Sequence, residues 1–269
     1  MPVTHSRGVG ITWEEHGEGD PLLLVMGHRF SSRMWHWTLP ALAEHRRVIT
    51  FDNRGTGGSD APRGPYTMQQ LADDALAVLD AAEVDCADVY GASMGGMIAL
   101  EMALNRPERV RSLVLGCTSA LSPDKKRPPR ASYVQYWLPR SMLLKVARGR
   151  LYGPAADEDR IRKDLALLAV DRFSPRGLVG QARAIATHNC LHRMSEIAQP
   201  ALVLHGSHDT VIPLAWGEEL ADALPNGRLV ILDGAGHNYL ADATDQANAE
   251  VLTFLDDVAA TSTSSALET

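Results

Sequence analysis

The stretch Ala87–Leu100, ADVYGASMGGMIAL, joins a short apolar run to a helical pattern through small residues. Ala87–Tyr90 is predicted as a buried strand and Met94–Asn105 as a helix, which leaves Ser93 on the turn between them. The flanking residues are small because strand and helix approach closely at such a turn, where a larger side chain would clash. G-x-S-x-G alone is weak evidence, but in this position it predicts a serine hydroxyl exposed at the carboxyl edge of a sheet.

Further apolar runs alternate with helical patterns on both sides of this stretch. The predicted strands are Gly10–Glu15, Pro21–Met26, Arg47–Phe51, Val110–Leu115, Ala201–His205 and Arg228–Leu232, and the other predicted helices are Met34–Glu44, Thr67–Ala82, Ala215–Leu224 and Asp242–Val258. Apolar strands separated by helices are typical of a parallel sheet covered on both faces. The fold class is therefore predicted as α/β, with a doubly wound, mostly parallel sheet.

The stretch from Thr118 to Gln199 interrupts this alternation. It contains six prolines among helical patterns, and 15 Lys and Arg against seven Asp and Glu. Its net charge is thus +8, which leaves −15 for the remainder of a chain whose total is −7. These features indicate a helical lid inserted after Val110–Leu115, the sixth strand of the expected fold. The bases are also explained as a solvated helix face. The predicted organisation is a core in residues 1–117 and 200–258, the lid segment in 118–199 and a flexible tail in 259–269.

The composition of the 269-residue chain argues against several classes of partner and site. The acidic balance argues against a nucleic-acid or anionic-membrane partner, which would favour a basic excess. No apolar run is long enough to span a bilayer, and no secretory signal is visible after Met1. Cys86, Cys117 and Cys190 are scattered and odd in number, so neither a disulfide framework nor a structural zinc site is expected. A cytoplasmic protein is predicted, either a monomer or a homo-oligomer.

A serine nucleophile requires a base, and the base requires an orienting acid. Asp209 follows the predicted strand Ala201–His205, and His237 follows Arg228–Leu232. The carboxyl ends of parallel strands meet at one edge of a sheet, so both residues are expected beside Ser93. The chain order Ser, Asp, His is that of α/β-hydrolases.

On these residues the chain resembles α/β-hydrolase-fold proteins along nearly its whole length. Phe51–Ser59, FDNRGTGGS, is similar to the family's D-x-R-G-x-G-x-S loop, in which Asp52 and Arg54 are expected to brace the structure. Gly64–Thr67 and the Ser-Met-Gly-Gly-Met turn resemble enol-lactonases and cofactor-free haloperoxidase-like esterases. The resemblance implies roles for four residues, which are Ser93 as nucleophile, His237 as general base, Asp209 as orienting acid and the backbone N–H of Met94 as one oxyanion donor.

The second oxyanion donor is expected in the loop Met26–Ser32, where many relatives carry His-Gly. Here Met26 replaces that histidine, and the backbone N–H of His28 occupies the donor position. Two alternatives remain for the side chains of His28 and Arg29, which face either the substrate or solvent. The side chains predicted to contact substrate are Arg29, Trp35, Trp137 and Tyr239, although Trp35 is also explained as a core anchor.

The function predicted from these residues is serine-dependent hydrolysis of a carboxylic ester or lactone of a small organic molecule, including anionic ones, through an acyl-enzyme. An enol-lactonase, a C–C bond hydrolase or a cofactor-free perhydrolase would use the same three side chains. A non-catalytic small-molecule receptor is the alternative of another class. His188 and His192 have ligand spacing but lack a third ligand, so neither metal nor cofactor is implied.

Overall fold

The computed structural model describes residues 1–121 and 140–267. In this part of the chain the strands are β1 Val3–Ser6, β2 Val9–His16, β3 Pro21–Val25, β4 Arg47–Phe51, β5 Ala87–Ala92, β6 Val110–Gly116, β7 Ala201–Gly206 and β8 Gly227–Leu232. They form one sheet in the order β1-β2-β4-β3-β5-β6-β7-β8. The β1–β2 and β2–β4 pairs are antiparallel, and the other pairs are parallel. The predicted mostly parallel sheet is confirmed.

Helices cover both faces of this sheet. Among the described residues the α-helices are α1 Leu39–Ala43, α2 Met68–Ala81, α3 Met94–Asn105, α4 Arg140–Leu151, α5 Glu158–Val170, α6 Pro175–Thr187, α7 Leu214–Ala223, α8 Tyr239–Asp242 and α9 Thr244–Leu267. Side chains of β3 point alternately to two buried clusters, Leu23 and Val25 to one and Leu22 and Leu24 to the other. The first cluster includes residues of α2, α3 and α7, and the second includes residues of α1 and α9. The doubly wound α/β arrangement is confirmed.

The amino-terminal strand β1 was not predicted. Its sequence, VTHS, has little apolar character, and it pairs with β2 through a two-residue turn at Arg7 and Gly8. Both turn residues have positive φ, 51° and 81°, as tight hairpin turns between twisted strands require. An edge strand held by such a turn needs no apolar run of its own.

Two helical predictions differ from the structure. The predicted helix Met34–Glu44 is a 3-10 turn at Ser32–Trp35 followed by α1, because Pro40 fits only the first turn of a helix. The helix predicted over Asp242–Val258 runs instead from Thr244 to Leu267 as α9. Ala259 and Ala260 favour helix, and the hydroxyl of Thr261 donates to the carbonyl of Asp257 one turn earlier.

Helices α4, α5 and α6 lie between β6 and β7, within the predicted lid segment. In the described residues of that segment no strand joins the central sheet. One isolated bridge, Thr56 to Phe173, ties the segment to the loop after β4, and a second, Leu121 to Asn189, joins two parts of the segment itself. Gly177 of α6 packs directly on Gly55, where a side chain on either residue would collide with the other's backbone. The helices of the segment thus rest against the carboxyl edge of the sheet, and its boundaries at 118 and 199 stay a prediction.

Candidate active site

Ser93 lies on a strained turn between β5 and α3. Its φ and ψ are 56° and −119°, a conformation that is costly for a residue with a side chain. The surroundings fix it, since the Ser93 amide donates to the Gly116 carbonyl at 2.8 Å and its carbonyl accepts from the Thr118 hydroxyl at 2.7 Å. A side chain on Gly95 would collide with the carbonyl of Val25. The small residues around the serine are therefore required by close packing, as the sequence pattern predicts.

His237 connects the serine to Asp209. Nε2 of His237 lies 3.0 Å from the Ser93 hydroxyl oxygen, and Nδ1 lies 2.7 Å from Oδ2 of Asp209. The other carboxylate oxygen, Oδ1, accepts from the amides of Val211 at 2.7 Å and Ile212 at 2.9 Å. Loops after β5, β7 and β8 thus bring the three predicted residues into one hydrogen-bonded row.

Asp209 is buried, and burial alone would raise the pKa of its carboxyl group. The hydrogen bond and charge of His237, together with the amides of Ile212 and Val211, outweigh that effect and lower the pKa below its ordinary value. The carboxylate is therefore ionised at neutral pH and can accept the Nδ1 proton. Asp209 is thus fitted to hold one tautomer of the imidazole.

His205 lies behind the Asp209 carboxylate. Its Nε2 donates to the Ile212 carbonyl at 2.9 Å and is 3.5 Å from Oδ2 of Asp209. Burial lowers the pKa of His205, so the ring is neutral. Cys117, Asp209 and His205 are close enough to form a metal-ligand cluster, but the Asp209 oxygens already accept three hydrogen bonds. These contacts support the carboxylate without a metal.

The two predicted oxyanion donors lie on segments that run beside Ser93. Met94 is the first residue of α3, so its N–H has no partner within the helix and lies at the positive end of the helix dipole. Gly27 packs so closely that an added Cβ would lie 3.1 Å from the Cβ of Ser93. The loop that carries His28 therefore runs alongside the serine, as the sequence predicts.

His28 and Arg29 contact α6 and the residues just before it. Nε2 of His28 donates to the Leu178 carbonyl at 3.1 Å, and burial lowers the pKa of this imidazole to about 4. The Arg29 amide donates to Oε1 of Gln181 at 3.0 Å, and the guanidinium lies 5.3 Å from the centre of the Phe173 ring. Neither side chain simply points into solvent.

Comparison with known proteins gives this site a family. The family model described as alpha/beta hydrolase fold matches residues 16–148, and the one described as TAP-like protein matches residues 180–264. A hydrolase of Pseudomonas aeruginosa, known from its crystal structure, is 31% identical, with a TM-score of 0.83 over 94% of this chain and 96% of its own. The chain belongs to the α/β-hydrolase family.

Other similar proteins are named as hydrolytic enzymes. The enol-lactonase of Burkholderia xenovorans is 27% identical, with a TM-score of 0.84 over 95% of this α/β-hydrolase and 100% of its own chain. A poly(3-hydroxyalkanoate) depolymerase of Ectopseudomonas oleovorans is 32% identical over 87% of this chain and 84% of its own. The prediction of a hydrolase is confirmed. In the described part of the α/β-hydrolase, the helices all lack the length and apolar character needed to cross a membrane.

Two predicted substrate contacts are wrong. Trp35 is fully buried and packs on Tyr90 with ring centroids 4.9 Å apart, while Tyr239 is 1% exposed and shares a 2.9 Å hydrogen bond with the Tyr90 hydroxyl. Both rings pack in the core on one face of the sheet, where an aromatic side chain buries a large apolar area. Neither ring leaves a surface for a ligand. The alternative that Trp35 anchors the core is the one that the structure supports. Trp137, the third predicted aromatic contact, lies outside the described residues.

The loop after β4 braces the site, as expected for Asp52 and Arg54. Asp52 accepts from the amide and hydroxyl of Ser32 at 2.8 and 2.9 Å and from the amide of Gly58 at 2.8 Å. Arg54 forms a buried two-pronged pair with Asp74, both bonds at 2.5 Å. These bonds hold the segment after the His28 loop and leave both side chains fully engaged in structure.

His188 and His192, which the sequence placed at ligand spacing, lie on different elements. His188 ends α6 and His192 lies in the 3-10 turn Leu191–Glu196. His188 instead lies between a carboxylate oxygen of Glu101, 3.4 Å from Nδ1, and the sulfur of Cys190, 3.3 Å from Nε2. These three side chains are close enough for a metal site. However, Nδ1 of His188 faces Glu101 and Nε2 faces Cys190, so the ring lies between its partners and is poorly placed to bind one ion together with both.

Sequence reasoning missed two buried polar residues that hold the site. Gln181 of α6 accepts from the Arg29 amide and donates to the Arg54 carbonyl at 2.9 Å. Asp164 of α5 accepts four hydrogen bonds, one of them from Asn238, the residue after His237. A signal for Asp164 was present, since it shares the buried stripe of α5 with apolar residues.

Proposed function

We propose that this α/β-hydrolase cleaves a carboxylic ester or lactone of a small organic molecule through an acyl-enzyme on Ser93. The observation that carries the proposal is the row of hydrogen bonds from the Ser93 hydroxyl through His237 to Asp209, at 3.0 and 2.7 Å. A serine hydroxyl becomes a useful nucleophile only beside such a base. The row ends at the amino terminus of α3, where an oxyanion is favoured.

The proposed mechanism follows from the placement of these atoms. Ser93 Oγ bonds to the substrate carbonyl carbon while its proton passes to Nε2 of His237, and the carbonyl oxygen becomes an anion held by the N–H groups of Met94 and His28. The tetrahedral species collapses, and the leaving alkoxide takes the proton from His237. Water then attacks the ester of Ser93 with His237 again as base, which releases the acid and restores the serine. Asp209 keeps its charge throughout and stabilises the imidazolium.

The similarity to an enol-lactonase and a depolymerase supports an oxygen-ester bond as the target. The enol-lactonase reaction, C–C bond hydrolysis and perhydrolysis all use the same three side chains, and each differs only in the bond attacked or in the final nucleophile. A receptor without turnover would use the row of hydrogen bonds only for binding. The strained conformation of Ser93 supports an enzyme instead, because it suits an exposed nucleophile.

The test is burst release of nitrophenol from nitrophenyl acetate, together with detection of acetylated Ser93 by peptide mass spectrometry. Ser93→Ala is expected to abolish both signals. Ser112→Ala is the matched control, because Ser112 is a buried serine whose hydroxyl donates to Asp88 at 2.6 Å, far from the site. Wild-type protein that binds esters but releases no nitrophenol would favour the receptor instead.

We also propose that residues 118–199 act as a lid and that the protein works in the cytoplasm. The lid is supported by the contacts of α6 with the His28 loop, and the location by the free state of Cys86, Cys117 and Cys190. Limited proteolysis in the presence and absence of a product acid tests the lid, because docking should protect bonds in this segment. The excess of bases there supports an anionic substrate.

A further inference from the structure

A buried carboxylate joins the predicted lid segment to the loop that carries His237. Asp164 lies on the inner stripe of α5 with Ile161 and Leu168, and its side chain is fully shielded from solvent. A charge in such a place is stable only when all of its hydrogen-bonding capacity is used. The Asp164 carboxylate therefore requires hydrogen-bond donors, and four side chains provide them.

Each oxygen of Asp164 accepts two hydrogen bonds. Oδ1 accepts from Nε2 of His36 at 2.8 Å and Nε1 of Trp37 at 2.7 Å, and Oδ2 accepts from the Tyr152 hydroxyl at 3.0 Å and Nδ2 of Asn238 at 2.7 Å. The donors come from three distant parts of the chain, namely the segment before α1, the end of α4 and the loop after β8. One side chain thus connects the lid segment to two parts of the core.

The same loop is held from a second side. The amides of Gly153 and Gly236 both donate to Oδ2 of Asp242, at 2.7 and 2.8 Å. The amide of Asn238 donates to the Leu151 carbonyl at 2.6 Å. Residues immediately before and after His237 are therefore tied to the turn that follows α4. The placement of the imidazole depends on contacts with the lid segment as well as on Asp209.

We propose that Asp164 is a positioning residue, which acts through Asn238 to keep Nε2 of His237 within reach of Ser93. The effect on turnover rests on the proposed serine hydrolysis, whereas the effect on the His237 loop does not. Loss of the carboxylate removes the acceptor of Asn238 and Tyr152 together, and the loop keeps its bonds to Leu151, Asp242 and Asp209. A small displacement of a catalytic base is enough to slow the reaction strongly.

The first test is Asp164→Ala measured beside Asp88→Asn. Asp88 is a suitable control because it is a buried carboxylate bound by Arg111 and Ser112, and it lies five residues before Ser93 at the far end of β5, roughly 16 Å away. In folded protein, Asp164→Ala is expected to lower kcat by about ten- to a hundredfold with little change in KM. Asp88→Asn is expected to lower stability only. Equal kcat values for the two variants would overturn the proposal.

The second test exchanges the charge across the Asp164–Asn238 bond. Asn238→Asp alone sets two carboxylates 2.7 Å apart and is expected to lower kcat as Asp164→Ala does. Adding Asp164→Asn restores an amide-to-carboxylate bond in the opposite direction, while the remaining carbonyl oxygen still accepts from Trp37 and His36. Recovery of kcat in the double variant supports positioning through this bond. A double variant as slow as Asn238→Asp would overturn it.

The third test needs no activity. Diethylpyrocarbonate labels neutral imidazoles, and the labelling rate of His237 can be followed by peptide mass spectrometry in each variant. The rate is expected to rise in Asp164→Ala and to stay at the wild-type value in Asp88→Asn, since the side chain of His237 is only 9% exposed when its loop is held. If the wild type hydrolyses no ester, the proposed function fails and this rate still decides the positioning role. An unchanged rate in Asp164→Ala would overturn the proposal.

Discussion

Replacing Asp209 by Asn should reverse the tautomer of His237. The backbone amides of Val211 and Ile212 point at Oδ1 of Asp209, so the carbonyl oxygen of the new amide must take that position. Its NH2 group then faces Nδ1 of His237, in place of the oxygen that lies 2.7 Å away in the wild type. Nδ1 becomes an acceptor, and the proton moves to Nε2.

The magnitude follows from this fixed orientation. Turning the amide over would direct NH2 at two backbone N–H donors, at a cost of about 1–3 kcal/mol for each N–H left without an acceptor. His237 therefore keeps its proton on Nε2, where it donates to Ser93 instead of accepting from it. The same change in a serine protease triad lowers kcat about 10⁴-fold, which corresponds to about 5.4 kcal/mol of transition-state stabilisation.

The assay is the steady-state kcat for nitrophenyl acetate, with the free energy of unfolding measured on the same samples. Asp88→Asn again provides a buried Asp-to-Asn change away from the site. We expect Asp209→Asn to fold and to bind substrate with a similar KM. A kcat within about tenfold of the wild type, against the expected loss of about 10⁴-fold, would show that Asp209 does not orient the base.

Four further predictions follow from individual residues. His237→Ala should lower kcat by several orders of magnitude, because the serine then has no base to accept its proton, and full activity in this variant would show that another base is used. The pKa of His28 falls from 6.5 to about 4 on folding, so the folded state binds fewer protons in that interval. The free energy of unfolding, measured by urea titration, should therefore decline as the pH drops from 6.5 to about 4, and the decline should be smaller in His28→Gln. Gly95→Ala should lower the melting temperature steeply, since its Cβ meets the Val25 carbonyl, and a melting temperature equal to that of the wild type would contradict this packing. An ester with a free carboxylate should show higher kcat/KM than its methyl ester, and equal values for the two would refute an anionic preference. If the Arg29 guanidinium binds the carboxylate directly, the preference should persist at high salt and disappear in Arg29→Ala.

Much of the fold was predictable because buried strands carry a local signal. Arg47–Phe51 and Met94–Asn105 have the predicted bounds, and the predicted candidates Ser93, Asp209 and His237 all follow strands whose apolar runs are visible in sequence. Position along a parallel strand then fixes which edge a following residue occupies. This reasoning needs no knowledge of side-chain partners, which explains why it reached the candidate triad.

Side-chain environments were harder to predict because they depend on elements distant in sequence. Trp35 and Tyr239 follow strands or loops of the site in sequence, yet both rings turn into the core. The burial of Asp164 is stable only because donors from three other segments converge on it, and no local pattern announces them. Hydrophobic periodicity reports which face of a helix is inside, but it does not report the polar partner that makes an inward carboxylate acceptable.

In this α/β-hydrolase the predicted lid segment contacts the His28 loop but contains none of Ser93, His237 and Asp209. Its Leu178 carbonyl binds His28 and its Gln181 binds the Arg29 amide in the predicted oxyanion loop. Each such bond contributes about 1 kcal/mol. Changes in the lid segment can therefore reshape the substrate side of the site while the Ser93 row stays intact. One core can in this way apply the same chemistry to different substrates, because an inserted segment shapes what reaches the site.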